Sequence, residues 1–248
     1  MNNLVKKLLG FGIGSFIGGL PLAEITPLSY PDYVVCPKAT VVLDPGHGGK
    51  DKGHVAKDGT YESDLNLSVV LKLKNVLQDK GYWVLSTREN DSCVNTDSID
   101  FNNDGKINHE DELMARADFS KENKADYFLS IHCNSNDDSS LSGPQVFFYG
   151  LASKKHENND KLDYEKIHNC KYFSQSSLDF ASELGDVFKK NNLNTVVWGG
   201  DFTVLYGNPA EKSVLWEVEQ MTNKEGLEFV KTEEGQNYYV KMVADAFE

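Results

Sequence analysis

From Lys38 onward, strand-like and helix-like segments alternate along the chain. This alternation constrains the fold more than any other feature, because strands separated by helical crossovers must pair largely in parallel. Thr40–Leu43 reads as a short buried strand. Asp64 to Lys80 carries Leu67, Val70, Leu71 and Leu77 on a helical face and stops at Gly81. Tyr82–Leu85, Tyr127–Ile131, Val146–Tyr149 and Val214–Trp216 read as further strands, and Glu110–Asn123, Ser177–Lys190 and Glu234–Phe247 as helices. The fold class that follows is α/β, with a central, mostly parallel sheet flanked by helices on both faces in a single catalytic domain over residues 38–248.

Residues 1–23 read as a targeting segment. Lys6 and Lys7 precede a Gly-rich apolar stretch from Leu8 to Leu20, shorter than the roughly 18–20 residues that span a bilayer. A cleaved signal, an uncleaved anchor and a structured arm all fit it, since Pro21 stands where a small residue is wanted for cleavage. Residues 24–37, with Pro27, Pro31 and Pro37, read as a linker, and 150–173 as a polar insertion. Lys and Arg total 25 against 38 Asp and Glu, a net charge of -13, which excludes the basic footprint of a nucleic-acid binder. The four cysteines contain no CxxC pair, so a cysteine zinc site is not expected and disulfide pairing stays open.

Three segments carry chemistry. Asp44-Pro45-Gly46-His47-Gly48-Gly49 places His47 in a Gly-rich turn after the first strand, Glu62 opens a helix, and His132 ends a strand expected inside the sheet. Sites in open parallel sheets form outside the carboxyl ends of strands. Two histidines and a carboxylate meeting there form a catalytic zinc set with a fourth position left open. His132 and Cys133 point to opposite faces of their strand, so Cys133 is not a fourth ligand. Glu217 follows the apolar run Val214-Leu215-Trp216. A carboxylate at the end of a buried strand needs a partner, such as Lys212 or Arg116, or work as a general base. Arg88 and Arg116 read as ion-pair residues before they read as substrate contacts, and His109, His156 and His168 receive no role.

These segments resemble the zinc-dependent N-acetylmuramoyl-L-alanine amidases of bacterial autolysins and phage endolysins. The resemblance runs from about Lys38 to the C-terminus. It rests on Val41–Gly49, Glu62–Leu67, Val84–Arg88, Leu113 with Arg116, Phe128–His132, and Val214–Glu217 with Asn223. It implies His47, Glu62 and His132 as zinc ligands and Glu217 as the catalytic carboxylate. The implied reaction cleaves the amide between N-acetylmuramic acid and L-alanine in peptidoglycan, in the cell envelope, periplasm or medium. The alternatives are another zinc amidohydrolase or peptidase on the same scaffold, or a wall-binding module with weak catalysis. Regulation by an activator protein is left open. Two positions depart from the family pattern: Glu219 and Gln220 replace a Gly-Phe pair, which bears on substrate contacts, and His54 replaces a small residue.

A second ion loop is expected at Asp100–Asp111, within an insertion spanning 97–112. Asp100, Asn102, Asp104, Asn108 and Asp111 occupy loop positions 1, 3, 5, 9 and 12, with Gly105 at 6 and Ile107 at 8, the register of an EF-hand. The Lys106 carbonyl supplies position 7. Asp at position 12 and a single obvious helix resemble the calcium loop of dockerins. The simpler alternative is an Asx-rich turn without an ion.

Overall fold

A computed structural model of the protein describes residues 36–150 and 173–247. Among these, six strands form one sheet: β1 (Thr40–Pro45), β2 (Trp83–Ser86), β3 (Tyr127–Asn134), β4 (Gln145–Tyr149), β5 (Val196–Gly200) and β6 (Lys212–Gln220). The helices are α1 (Glu62–Asp79), α2 (His109–Glu122), α3 (Gln175–Lys190), α4 (Lys224–Val230) and α5 (Glu233–Asp245). The sheet order is β2-β1-β3-β6-β4-β5. All neighbours are parallel except β4 and β6, which run antiparallel. The leader-like segment 1–23, nearly all of the linker 24–37 and the polar insertion apart from its two end residues lie outside the described residues, as do His156, His168 and Cys170.

Alternation along the strands divides the core in two. Val41 and Leu43, Leu129 and Ile131, and Val214 and Trp216 point to one face. There they pack against Leu65, Val69 and Leu73 of α1, Leu184 of α3 and Val243 of α5. Val42, Phe128 and Leu215 point to the other face and meet Val204, Leu205 and Ala210 of the β5–β6 connection, with Phe119 of α2 against them. On this second face the stripe turns polar toward the carboxyl ends of the strands, where Asp44, Ser130, His132 and Glu217 continue the positions of Val42, Phe128 and Leu215. The fold thus builds its site from the same side-chain alternation that builds its core.

Several boundaries differ from the sequence reading. Strand β5 was not expected, because its Val-Val-Trp run ends in Gly199-Gly200 and it is an edge strand with most of its residues half-buried. Helix α4 was also missed; it has only seven residues and relies on Asn223 as its cap, whose side chain accepts from the Gly226 amide. Strand β6 continues past Trp216 to Gln220, so Glu217 lies within the sheet rather than at a strand end, flanked by His132 of β3 and Gln145 of β4. Two residues later the β3–β6 register slips: His132 faces Glu217, but Asn134 faces Gln220. This bulge reverses the alternation and turns Glu219 toward α5.

Candidate active site

His47 takes a backbone φ of 60°, a left-handed conformation disfavoured for a residue with a Cβ. Gly48 and Gly49 follow with φ of 127° and 62°, completing a turn that reverses the chain just beyond β1. Two buried arginines hold it. Arg88 donates to the Pro45 and Gly46 carbonyls at 3.0 and 2.9 Å. Arg116 donates to the Pro45 and His47 carbonyls, both at 2.8 Å. Arg116 also pairs with Asp44 at 2.8 Å and with Glu112 at 2.9 Å. The ion-pair expectation therefore holds for Arg116 and fails for Arg88, which spends its donors on carbonyls of Pro45, Gly46, Ser63 and Asn90.

The turn delivers His47 to Glu62 and His132. His47 Nε2 and His132 Nδ1 each lie 3.1 Å from Glu62 Oε1. Among the described residues, this is the group of His, Cys, Asp or Glu side chains whose ligand atoms converge within 4.8 Å. Close packing depends on two glycines: a Cβ on Gly46 would stand 2.2 Å from the His132 ring, and one on Gly53 would stand 2.5 Å from Glu62 Oε2. Glu62 is fixed by its surroundings. Its Oε2 accepts from the His54 amide at 2.8 Å, and its Oε1 accepts from Asn66 and the Cys133 amide, each at 3.3 Å. His54 thus serves the site through its backbone. Cys133 points into the core on the opposite face from His132, as the strand alternation requires.

The donor set fits a metal on chemical grounds. Asp51 Oδ2 lies 2.8 Å from His47 Nδ1. A carboxylate there holds the proton on Nδ1 and leaves the Nε2 lone pair aimed at Glu62. A lone pair 3.1 Å from a carboxylate oxygen is repulsive unless a positive charge lies between them. Two imidazole nitrogens and one carboxylate oxygen are a zinc donor set, and ligands at about 2.0–2.1 Å in a tetrahedron sit about 3.3 Å from one another. Without a metal, a proton fills that role. Burial disfavours charging His47, but the Glu62 hydrogen bond and charge, reinforced by Asp51, lift its pKa to about 9. Burial likewise opposes ionisation of Glu62, and the two histidines outweigh it, holding that carboxyl well below its usual range.

Glu217 stands beside this cluster without a partner. Lys212 instead meets the Tyr127 hydroxyl, and Arg116 is taken by Asp44 and Glu112. Glu217 Oε2 is enclosed and makes no hydrogen bond. Burial raises its pKa to about 7, with the Glu62 charge adding and His132 and His47 opposing. A cavity of about 270 Å³ opens over it, walled by α2 on one side and by Phe202, Thr203 and Val204 on the other. Glu219, two residues on, is absent from this wall. It accepts from the Tyr239 hydroxyl and the Gly143 amide, both at 2.6 Å. The departure at Glu219 is therefore an internal anchor between β6, α5 and the loop before β4.

The Asp100–Asp111 loop is closed by its own backbone. Asp100 accepts from the Asp104 and Gly105 amides, Asn102 from Asp104, and Asp104 from Lys106. Asp111 is buried, accepts from the Phe101 and Asn108 amides, and forms a capping box with Asn108 at the start of α2. Asp100, Asp104 and Asp111 do not converge as the His47 cluster does.

The family described as N-acetylmuramoyl-L-alanine amidase matches residues 41–248, which covers all the elements above apart from the first residue of β1. The chain belongs to this amidase family. A germination-specific N-acetylmuramoyl-L-alanine amidase of Bacillus subtilis (strain 168) is 33% identical over 122 residues, 49% of this chain and 48% of that protein. A putative amidase of Buchnera aphidicola from Acyrthosiphon pisum is 28% identical over 155 residues, 62% and 54% of the two chains. The chain thus spans about half the length of these curated relatives. Among solved structures, the CwlD amidase from Clostridioides difficile, in complex with the GerS lipoprotein, superposes with a TM-score of 0.62 at 28% identity, covering 84% of this chain and 95% of that one. An N-acetylmuramoyl-L-alanine amidase from Clostridium difficile 630 gives a TM-score of 0.63 at 23% identity, over 84% and 94% of the two chains, a likeness of fold.

Proposed function

We propose that the chain is a zinc-dependent N-acetylmuramoyl-L-alanine amidase. Its substrate is peptidoglycan, and the bond cleaved joins the lactyl group of N-acetylmuramic acid to L-alanine. The observation that carries this reading is the unpartnered Glu217 carboxylate beside the converging His47, Glu62 and His132. His47 through Nε2, Glu62 through Oε1 and His132 through Nδ1 would hold the metal. When bound, zinc supplies Lewis acidity for the scissile carbonyl and for the attacking water. Glu217 takes the proton from that water and passes it to the departing L-alanine nitrogen, so one proton is accepted and returned in each cycle. Burial favours the protonated form of Glu217, which helps it hold the proton between the two transfers. Retention of a free base also favours an enzyme over a wall-binding module, which needs none.

Mass spectrometry of digested peptidoglycan tests the reading. New L-alanine amino termini should appear, and a chelator should abolish them. Cleavage elsewhere in the wall would instead support the peptidase alternative. A second test addresses Asp51. Asp51→Ala should weaken zinc binding by about 10- to 100-fold in competition with a chromophoric chelator. Asp51→Asn, which keeps an acceptor for Nδ1–H, should fall between the two. Equal affinity in all three proteins would remove Asp51 from the metal site.

The location consistent with this substrate is the cell envelope or the medium, with residues 1–23 as the export segment; among the described residues, no helix is long and apolar enough to cross a membrane. We further propose Asp100–Asp111 as a structural calcium loop, with side chains of Asp100, Asn102, Asp104, Asn108 and Asp111 and the Lys106 carbonyl as ligands. Its support is the twelve-residue register and the left-handed Gly105, with φ of 82°, at the sixth position. Millimolar calcium should raise the melting temperature of zinc-loaded wild type and do much less for Asp104→Ala. No shift in wild type, or the same shift in both, would leave the loop an Asx-rich turn.

A further inference from the structure

The polar side chains that face the cavity over Glu217 sort into those already engaged and those left free. Asp44 is held by Arg116, Thr87 and Ser130; Asp51 by His47; Glu112 by Arg116 and by the Val94 and Asn95 amides. None of these has a donor to offer a ligand. His109 is the exception on the α2 wall. It lines the cavity with Glu112, Leu113 and Arg116, the spacing of one helical face, yet it is exposed and none of the hydrogen bonds or ion pairs of the described residues involves its ring. Across the cavity, the Thr203 hydroxyl is likewise uncommitted, in a wall otherwise made by Phe202, Val204 and Leu215.

His109 is also held firmly from behind. Asn108 caps α2, with its side chain accepting from the Glu110 amide at 2.7 Å. The buried Asp111 returns a bond to the Asn108 amide at 2.8 Å and reaches the Phe101 amide at 2.8 Å. The backbone of His109 is thereby clamped between two capping residues of the inserted loop. The imidazole is thus presented from a fixed backbone, and only its two side-chain torsions need ordering when it meets a ligand.

We infer that His109 is a substrate-binding residue, donating a ring N–H to an sp² oxygen of the peptide portion of the substrate. The inference rests on the amidase reading above. It gives the insertion at 97–112 a function beyond any ion: it carries a donor to the wall of the site. A cavity of about 270 Å³ lies near the lower limit for ligand pockets, the scale of a short peptide segment and not of a glycan strand. The oxygen belongs to an amide carbonyl or to a free carboxylate of the stem peptide, and substrate chemistry separates the two.

The experiment compares zinc-loaded wild type, His109→Ala and His109→Gln on soluble N-acetylmuramoyl-peptides whose carboxylates are free or amidated. Loss of one hydrogen bond should lower kcat/KM of His109→Ala by about 3- to 10-fold, mostly through KM. His109→Gln, which keeps a donor, should recover most of the loss. Zinc content and melting temperature should stay close to wild-type values, because the ring makes no hydrogen bond or ion pair and acts on Asp51 only as the smallest of its electrostatic influences. A loss seen with both substrates assigns the carbonyl; a loss confined to the free acid assigns the carboxylate. Unchanged kinetics in His109→Ala, equal losses in the Ala and Gln variants, or a loss that tracks zinc content overturns the inference while leaving the amidase reading intact. Failure of wild type to cleave either substrate overturns that reading, and this inference with it.

Discussion

Glu217→Gln should nearly abolish turnover and, at the same time, stabilise the metal-stripped protein at alkaline pH. Turnover of the zinc-loaded enzyme should fall by about 10²-fold or more, because the amide keeps the shape of the side chain but cannot accept the proton of the attacking water. The stability effect has the opposite sign and a different cause. Burial raises the folded-state pKa of Glu217 from 4.5 to about 7. Below about pH 4.5 the carboxyl is neutral in both the folded and unfolded states and makes no difference. Between pH 4.5 and 7 the unfolded chain ionises first, and the folded state loses ground. Above pH 7 the penalty is complete, at most about 3.5 kcal/mol at roughly 1.4 kcal/mol per unit. For a chain of this size it corresponds to roughly 7–14 °C in melting temperature. Glutamine carries no such charge. Its own cost of burial is the same at every pH, so the difference between pH 8 and pH 4 isolates the charge. Thermal melts of both proteins in chelator at the two pH values make the measurement. A Glu217→Gln advantage equal at both, or absent at pH 8, would show that the carboxylate is solvated in the folded state.

The three side chains that converge in the candidate site were legible in the sequence because each is marked locally. His47 sits in a run of glycines, Glu62 opens an amphipathic helix, and His132 ends an apolar strand. What positions them was not legible. Asp51 lies four residues beyond His47, but no helix links the two; only the left-handed turn at His47, Gly48 and Gly49 folds one back on the other. Arg116 reaches Asp44 across 72 residues of sequence, and no pattern within the chain announces that pairing. Glu217 was read correctly as a carboxylate in apolar surroundings, yet placed at the end of its strand. The acidic residues that continue β6 disguise it as a loop, and the bulge after Val218 gives Glu217 and Glu219 opposite surroundings, one open to the cavity and one anchored inside. His109 was passed over for a related reason. A histidine among Asn, Glu and Asp reads as surface, and only the direction of α2 turns it toward the site. The fold class needed less information, because alternating buried strands and amphipathic helices leave few other arrangements.

Arg116→Met should be the most destabilising single change near the site. The guanidinium is almost completely buried and serves four acceptors at once: Asp44, Glu112 and the carbonyls of Pro45 and His47. Methionine fills part of the volume and none of those roles. Asp44 would keep the Thr87 and Ser130 hydroxyls, at 2.6 and 2.7 Å, but would be an unpaired charge under the sheet. Removing one partner of such a buried pair costs about 3–5 kcal/mol, or roughly 6–20 °C in a protein of this length. The pH dependence identifies the cause. In wild type, burial opposes ionisation of Asp44, and Arg116 with the two hydroxyls outweighs it, so its pKa lies below 3.8. Ionised Asp44 then stabilises the fold above that pH, and the contribution is lost as pH falls through the folded-state pKa. Without Arg116 the burial penalty dominates and the folded-state pKa rises, so the penalty is greatest at neutral pH and shrinks on acidification. The gap between wild type and Arg116→Met should therefore be widest at pH 8 and narrow toward pH 4. Asp44→Asn added to Arg116→Met should recover much of the loss at pH 8, since it removes the stranded charge. The turn gives a second readout. His47 holds its φ of 60° with its carbonyl tied to Arg116, so zinc should bind the single variant more weakly even well below its melting temperature. If the single variant melts like wild type and binds zinc as tightly, then Arg88 and the glycines hold the turn alone, and the buried pair contributes nothing to the site.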